Sequence, residues 1–403
     1  MQNRGKAVPS STSSSDPVAA PQGIVHREGA LPAGLRLTAS DRPGQAQPVP
    51  TRDVPAQPWG RILAGVLVAL AVGAVGLELN ARERIGLHPG DLDNSEISWS
   101  NEKLHAVGAP AAIVGDSRIL FDTDLDRFEA LTGVRPIQLS IHGTSALTLL
   151  ENMADDKEFN GVLIVGLADT MFFQPFDGYG GYVKKWHEFR APYRIVSNEI
   201  DHVLQRRLAF MDSNYRLSVI AHRLDPNFRS GVEGPKDDIW KLQEVGEHRA
   251  THLWDRVEND PAWRARTRWA WKGFKEDFPF TPGLIANGQA RAKVAVEKIR
   301  ARGGEVVFVR PPSAPELRVN EEAQVPKAKG WDELLANTHS VGVHIDDLPA
   351  AQSLTLPEWS HLGRRCATVY TDIYVRRLTE LTPRLKLRAD APSPLSKAYC
   401  ASA

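Results

Sequence analysis

Two short stretches of this 403-residue chain carry side chains that could do chemistry together. The first is Gly115-Asp116-Ser117, reached through the apolar run Ala111-Ala112-Ile113-Val114. The second is Glu358-Trp359-Ser360-His361, some 240 positions later. A serine hydroxyl is a weak nucleophile at neutral pH and needs a base to take its proton as it attacks. An imidazole suits that role, because its unperturbed pKa is about 6.5. Glu358 lies three residues before His361, so a turn or a helix start can bring both to one side. A carboxylate there would fix the imidazole tautomer and stabilise the protonated ring. Asp346 and Asp347 are rival orienters. A surface serine in a turn and a glutamate capping a helix would leave the same letters in the sequence.

With the apolar run in front and the histidine near the end, these segments resemble the GDSL/SGNH hydrolase superfamily. The resemblance covers about residues 108–175 and 305–380. It implies Ser117 as nucleophile, His361 as base, and Glu358 where the family normally has Asp. It also implies an oxyanion hole built from the N–H groups of Ser117 and Gly143. The family's third block reads Gly-x-Asn-Asp, and its Asn side chain is a third donor. Here that segment is Gly166-Leu167-Ala168-Asp169, and Ala168 has no side-chain donor. Losing one such donor lowers rates about 100- to 1,000-fold. Thr170 and Arg310 are the candidate substitutes. Arg310 could equally neutralise an anionic substrate, and Asp169 is a second candidate substrate-binding residue.

Elements must position these residues, and the sequence offers an alternation of strands and helices. Ala111–Gly115 reads as a buried parallel strand, with Ser117 at its carboxyl end, where ligands collect in open α/β sheets. Helices are expected over 123–131, 147–153 and 286–302, and further strands over 134–141, 161–167, 306–309 and 341–345. A helix after His361 closes the domain. The pattern predicts a parallel sheet of about five strands with right-handed crossovers. The resemblance makes this a flavodoxin-like three-layer sandwich. Residues 171–285 break the rhythm and are expected to form a mostly helical insertion over the sheet's active edge. Within it, Trp263-Arg264-Ala265-Arg266-Thr267-Arg268-Trp269-Ala270-Trp271 mixes aromatic faces with cations. Such a surface could stack on sugars or grip anionic glycans; a helix core with a charged outer face would read the same way.

The remaining chain sets the location. Residues 1–58 are rich in Ser, Pro, Ala, Gly and Gln and are expected to be disordered. Ile62–Leu77 then runs uncharged between Trp59-Gly60-Arg61 and Glu78. With its flanks, 59–79, it approaches the roughly 20 residues that cross a bilayer. A cleaved signal peptide and a buried soluble helix are the competing readings, but a long segment precedes the run and no polar stripe interrupts it. Arg36, Arg42, Arg52 and Arg61 precede it and only Arg82 and Arg84 follow closely, which favours the main domain outside the cytoplasm. Residues 80–106 read as a linker, 107–381 as the SGNH-like domain, and 382–403 as a loose tail. Lys and Arg together equal Asp and Glu at 49 each, so no global field draws nucleic acid. No metal-ligand spacing and no phosphate loop are evident. Cys366 and Cys400 could pair in an oxidising compartment or remain separate thiols.

These readings converge on an expectation. The chain would be a membrane-anchored serine esterase (ester hydrolase) or O-acyltransferase in the inner (cytoplasmic) membrane, with its main domain periplasmic or otherwise extracytoplasmic. The substrate would be an acylated cell-envelope polysaccharide or another ester, with no cofactor and with envelope assembly proteins as further partners. That substrate class comes from the resemblance alone. The alternative from another class is a non-catalytic glycan-binding or assembly protein on a degenerate SGNH fold. A cytoplasm-facing lipid esterase is a third.

Overall fold

The computed structural model describes residues 56–174, 180–223, 239–272 and 280–401, with two short strands before them. The chain divides into two units, Met1–Ala69 and Leu70–Ala403. In the first, β1 (Leu35–Arg36) pairs antiparallel with β2 (Val49–Pro50). The expected disorder of the other residues up to 55 falls outside the described residues. Helix α1 (Trp59–Leu79) begins in this unit and has no buried residue. The helical stretch from Trp59 is long and apolar enough to cross a membrane.

The stretch expected as a linker is folded. A π-helical turn covers Asn80–Ile85, and α2 (Glu96–Leu104) buries Trp99, whose indole N–H donates to the Leu139 carbonyl at 2.9 Å. The sheet follows: β3 (Ala111–Gly115), α3 (Ser117–Phe121), α4 (Leu125–Thr132), β4 (Ile137–Gln138), α5 (Ala146–Asp155), β5 (Val162–Gly166) and α6 (Asp169–Phe173). Helix α4 is started by Asp124, whose carboxylate accepts from the Arg127 N–H, and stopped by Gly133 in the left-handed region.

The insertion carries α7 (Pro192–Gln205), α8 (Leu217–Arg223), α9 (Asp255–Asn259) and α10 (Pro261–Lys272). It also contains an antiparallel hairpin of β6 (Gln243–Val245) and β7 (Thr251–Leu253), which the helical expectation missed. The domain then resumes with α11 (Pro282–Ala301), β8 (Glu305–Arg310), α12 (Pro315–Gln324), α13 (Glu333–Thr338), β9 (Val341–His344) and α14 (Arg364–Leu381).

The tail is not loose. A disulfide joins Cys366 of α14 to Cys400 of α15 (Ala398–Ala401), Leu385 is buried, and the Arg388 N–H donates to the Leu131 carbonyl.

The five central strands are all parallel and run β4-β3-β5-β8-β9. Their apolar side chains alternate between faces. Ala112, Val114, Leu163, Val165 and Phe308 pack with α5 and α11, while Ile113, Ile164, Val307, Val309 and Val343 pack with α4 and α14. Burial on both faces explains why these strands read as unbroken apolar runs. The expected strand over 134–141 contracts to Ile137–Gln138 because it is an edge. The carbonyls of Gln138 and Ser140 are taken by the Arg249 guanidinium at 2.6 and 2.9 Å, not by a neighbouring strand.

Candidate active site

Strand order reverses beside β3: β4 lies on one side of it, and β5, β8 and β9 on the other. The crevice at such a switch point is where open α/β sheets hold their ligands. Ser117 stands there, half-buried, as the first residue of α3. Its own N–H has no intrahelical acceptor at that position and is free for an anion. Asp116 fixes the turn. One carboxylate oxygen caps α3 through the Arg118 N–H at 2.9 Å, and the other accepts the Ala168 N–H at 2.6 Å. Two glycines let α3 close on the sheet. Gly115 and Gly166 are cross-strand partners, and a Cβ on either would collide with Ile119.

The late segment docks onto that same helix. Ser360 Oγ lies 3.3 Å from Arg118 Nε, the Leu362 N–H donates to Asp122 at 2.8 Å, and the His361 ring centroid lies 4.4 Å from that of Phe121. His361 is fully buried. Its Nδ1 is 2.8 Å from Glu358 Oε1, and the same oxygen accepts the His361 N–H. Nδ1 therefore carries the proton, and Nε2 is left as a lone pair without a hydrogen-bond partner among the described residues. Ser117 Oγ is not hydrogen-bonded to it; contacts of this sort often tighten only around a substrate. Asp346 is excluded as orienter, since it is bound to Arg318 at 2.8 Å, and Asp347 accepts the His344 N–H.

The loop is held in an unusual shape. Trp359 has φ +81°, a left-handed conformation that a bulky side chain rarely adopts. Such strain persists only where surrounding structure imposes it. Here Arg268 supplies part of that, donating to the Pro357 carbonyl at 2.8 Å while its guanidinium lies over the Trp359 ring.

Several contributors were not evident in the sequence. The Trp271 indole N–H, from α10, donates to the second Glu358 oxygen. Burial pushes the Asp122 carboxyl well above its ordinary range, although the Leu362 N–H favours its anion. Burial likewise raises Asp116 against the pull of Arg118. His142 follows β4, and burial, aided by Arg249 and His361, lowers its imidazole to about 4. A neutral imidazole there can donate a hydrogen bond without adding charge. Gly143 next to it has φ +60°, a left-handed turn conformation that glycine adopts without strain.

The proposed substrate contacts through Arg310 and Asp169 need correction. Arg310 is fully buried, bound to Asp169 at 2.9 Å and Glu321 at 2.6 Å. Glu321 also holds Arg118. Although burial opposes it, the two guanidiniums keep the Glu321 carboxyl down at about 2. Arg310 thus ties β8 to α6 and α12 and has no face open to a ligand. Thr170 remains half-buried at the start of α6.

On the outer side, Pro261, Arg264, Arg268, Trp269 and Trp359 line a surface cleft of about 340 Å³. It adjoins the strained loop and displays an aromatic face beside guanidiniums.

The chain matches no protein-family model, and no curated protein is significantly similar to it in sequence.

Proposed function

We propose that the chain is a membrane-anchored serine esterase or O-acyltransferase of SGNH type, working through Ser117, His361 and Glu358. One observation carries the reading. The Glu358 carboxylate accepts a hydrogen bond from Nδ1–H of a fully buried His361, whose remaining lone pair belongs to a loop clamped onto the helix that begins with Ser117. In this mechanism Nε2 accepts the Ser117 proton as Oγ attacks an acyl carbonyl. The oxyanion that forms meets the N–H groups of Ser117 and Gly143. The protonated ring then returns the proton to the leaving alcohol. Water or a sugar hydroxyl resolves the acyl-serine, giving hydrolysis or transfer.

A flavodoxin-like three-layer arrangement belongs to this reading and is supported by the strand order and by helices on both faces. The acceptor is a glycan in this proposal, with Trp269 and Trp359 as stacking faces at the cleft. An extracytoplasmic domain is supported by the Cys366–Cys400 disulfide, since such bonds persist in oxidising compartments.

Ala168 favours a second reading, a glycan-binding or assembly protein without turnover. It is buried, its N–H is spent on Asp116, and its methyl offers no donor. A fluorophosphonate serine probe separates the two. The enzyme reading expects labelling of the wild type that disappears in Ser117→Ala and His361→Ala. An unlabelled, well-folded wild type supports the binder.

A further inference from the structure

The strongest unassigned chemistry lies away from Ser117, where α2 meets the turn of the β6–β7 hairpin. Glu102 lies in the last turn of α2, His105 caps that helix three residues on, and His248 arrives from the hairpin. Their ligand atoms all lie within 4.8 Å of one another. The Glu102 side chain is only 8% exposed, yet among the described residues its carboxylate meets no polar side chain but these two imidazoles. The separations are 3.5 Å to His105 Nδ1 and 3.7 Å to His248 Nδ1. Both are too long for a strong hydrogen bond, which runs about 2.7–3.2 Å. They lie within a few tenths of an ångström of the edge of a tetrahedron around a zinc ion, about 3.3–3.4 Å for ligand bonds near 2.0–2.1 Å, so a small shift of the exposed His248 ring would close the site.

The backbone agrees with a built site. His248 has φ +55° and Arg249 has φ +58°, two consecutive left-handed residues that turn one side chain outward to α2 and the other inward to β4. The neighbouring group of Glu244, His252 and Asp255 differs, because Glu244 and His252 already satisfy each other at 3.2 Å.

We propose that Glu102, His105 and His248 bind one divalent transition-metal ion, with zinc the best match to two imidazoles and a carboxylate. A fourth position stays open to water or an exogenous ligand. The ion would pin the hairpin to α2. The sequence hid this site because its third ligand comes from a turn far downstream of the first two.

The test uses the full-length chain in detergent, without a polyhistidine tag and stripped by chelator, titrated calorimetrically with Zn²⁺. One equivalent is expected in the wild type and in His252→Ala. Glu102→Gln and His248→Ala should each abolish it while retaining the wild-type circular dichroism. Cobalt should give the intense visible bands of a four-coordinate site, lost in the same variants. No saturable binding, or binding that survives both substitutions, would overturn the assignment.

A separate observation concerns α7, whose polarity is inverted. Asn198 and Gln205 face the protein, where they accept from the Ser98 hydroxyl at 3.3 Å and the Asp93 N–H at 2.9 Å. Tyr193, Val196, Ile200 and Val203 face outward, exposed by 70%, 58%, 56% and 51%. Just after α7, the N–H groups of Ala209 and Phe210 donate to Glu78 in the last turn of α1. The carboxyl end of α7 is therefore held at the end of the membrane-length helix. We infer that this apolar stripe rests on the lipid surface, an inference that depends on α1 crossing the bilayer. Spin labels at Ile200→Cys and Val72→Cys, in nanodiscs, test it by oxygen against water-soluble relaxant. Both sites should favour oxygen. A lipid-exposed Val72 with Ile200 facing water, or shielded from both agents, would overturn the inference alone. A water-exposed Val72 would remove the membrane span itself.

Discussion

Glu358 does three jobs with one carboxylate: it orients His361, shapes the loop and receives Trp271. Glu358→Gln should keep the fold but reverse the tautomer preference at Nδ1. Loss of turnover by about 10³- to 10⁴-fold in kcat, with KM nearly unchanged, is the expected kinetic result. Trp271→Phe removes one donor to a buried anion, worth about 1.5–3 kcal/mol, so kcat/KM should fall roughly 10- to 100-fold. His142 gives a stability signature. Its folded pKa is near 4 and its unfolded pKa near 6.5, so the unfolded chain takes up its proton first as pH falls. Stability from this group is full above about 6.5 and drains away towards 4. Denaturant unfolding of His142→Gln should therefore show a shallower loss over that window, by about 2–3 kcal/mol at its acid end. The pairing of His361 with Glu358 was legible because a spacing of three residues lets the carboxylate reach the ring. Arg310 was misread, because sequence places it at the right sheet edge but says nothing of Asp169 and Glu321 closing over it. Trp271 was invisible as a partner of Glu358, since nothing in the sequence says which way α10 turns.

At the scale of elements, the site depends on how closely α3 sits on two strand ends. Gly166→Ala would drive a methyl into Ile119 and lift α3, costing about 1–3 kcal/mol. The chain should remain folded, by near-ultraviolet circular dichroism, while serine-probe labelling of Ser117 falls sharply. Central strands were readable in sequence because burial on both faces writes them as apolar runs. The hairpin was not: its strands are three residues each, Gln243–Val245 and Thr251–Leu253, too short and too polar to alternate visibly. Nor was α2, whose Trp99 is buried within an otherwise polar stretch that reads as a linker. The edge strand was overextended because an apolar run cannot reveal that a guanidinium will take its carbonyls.

At the scale of the molecule, the disulfide holds the carboxyl-terminal helix to α14, the helix that follows His361. Opening it in Cys366→Ser/Cys400→Ser should cost about 2–4 kcal/mol, seen as a lower Tm, and should not remove serine reactivity. A phosphatase reporter fused after residue 403 should be active only if the domain lies outside the cytoplasm. The central claim is that Ser117 and His361, brought to one sheet edge from distant parts of the chain, act as one nucleophile. Intact-mass analysis after brief exposure to an activated acetyl ester, with peptide mapping, tests it most directly. A single acetyl group on Ser117 is predicted, absent in His361→Ala and in Glu358→Gln at the same exposure. A folded wild type that stays unacetylated, or one acetylated equally well without His361, would contradict the account.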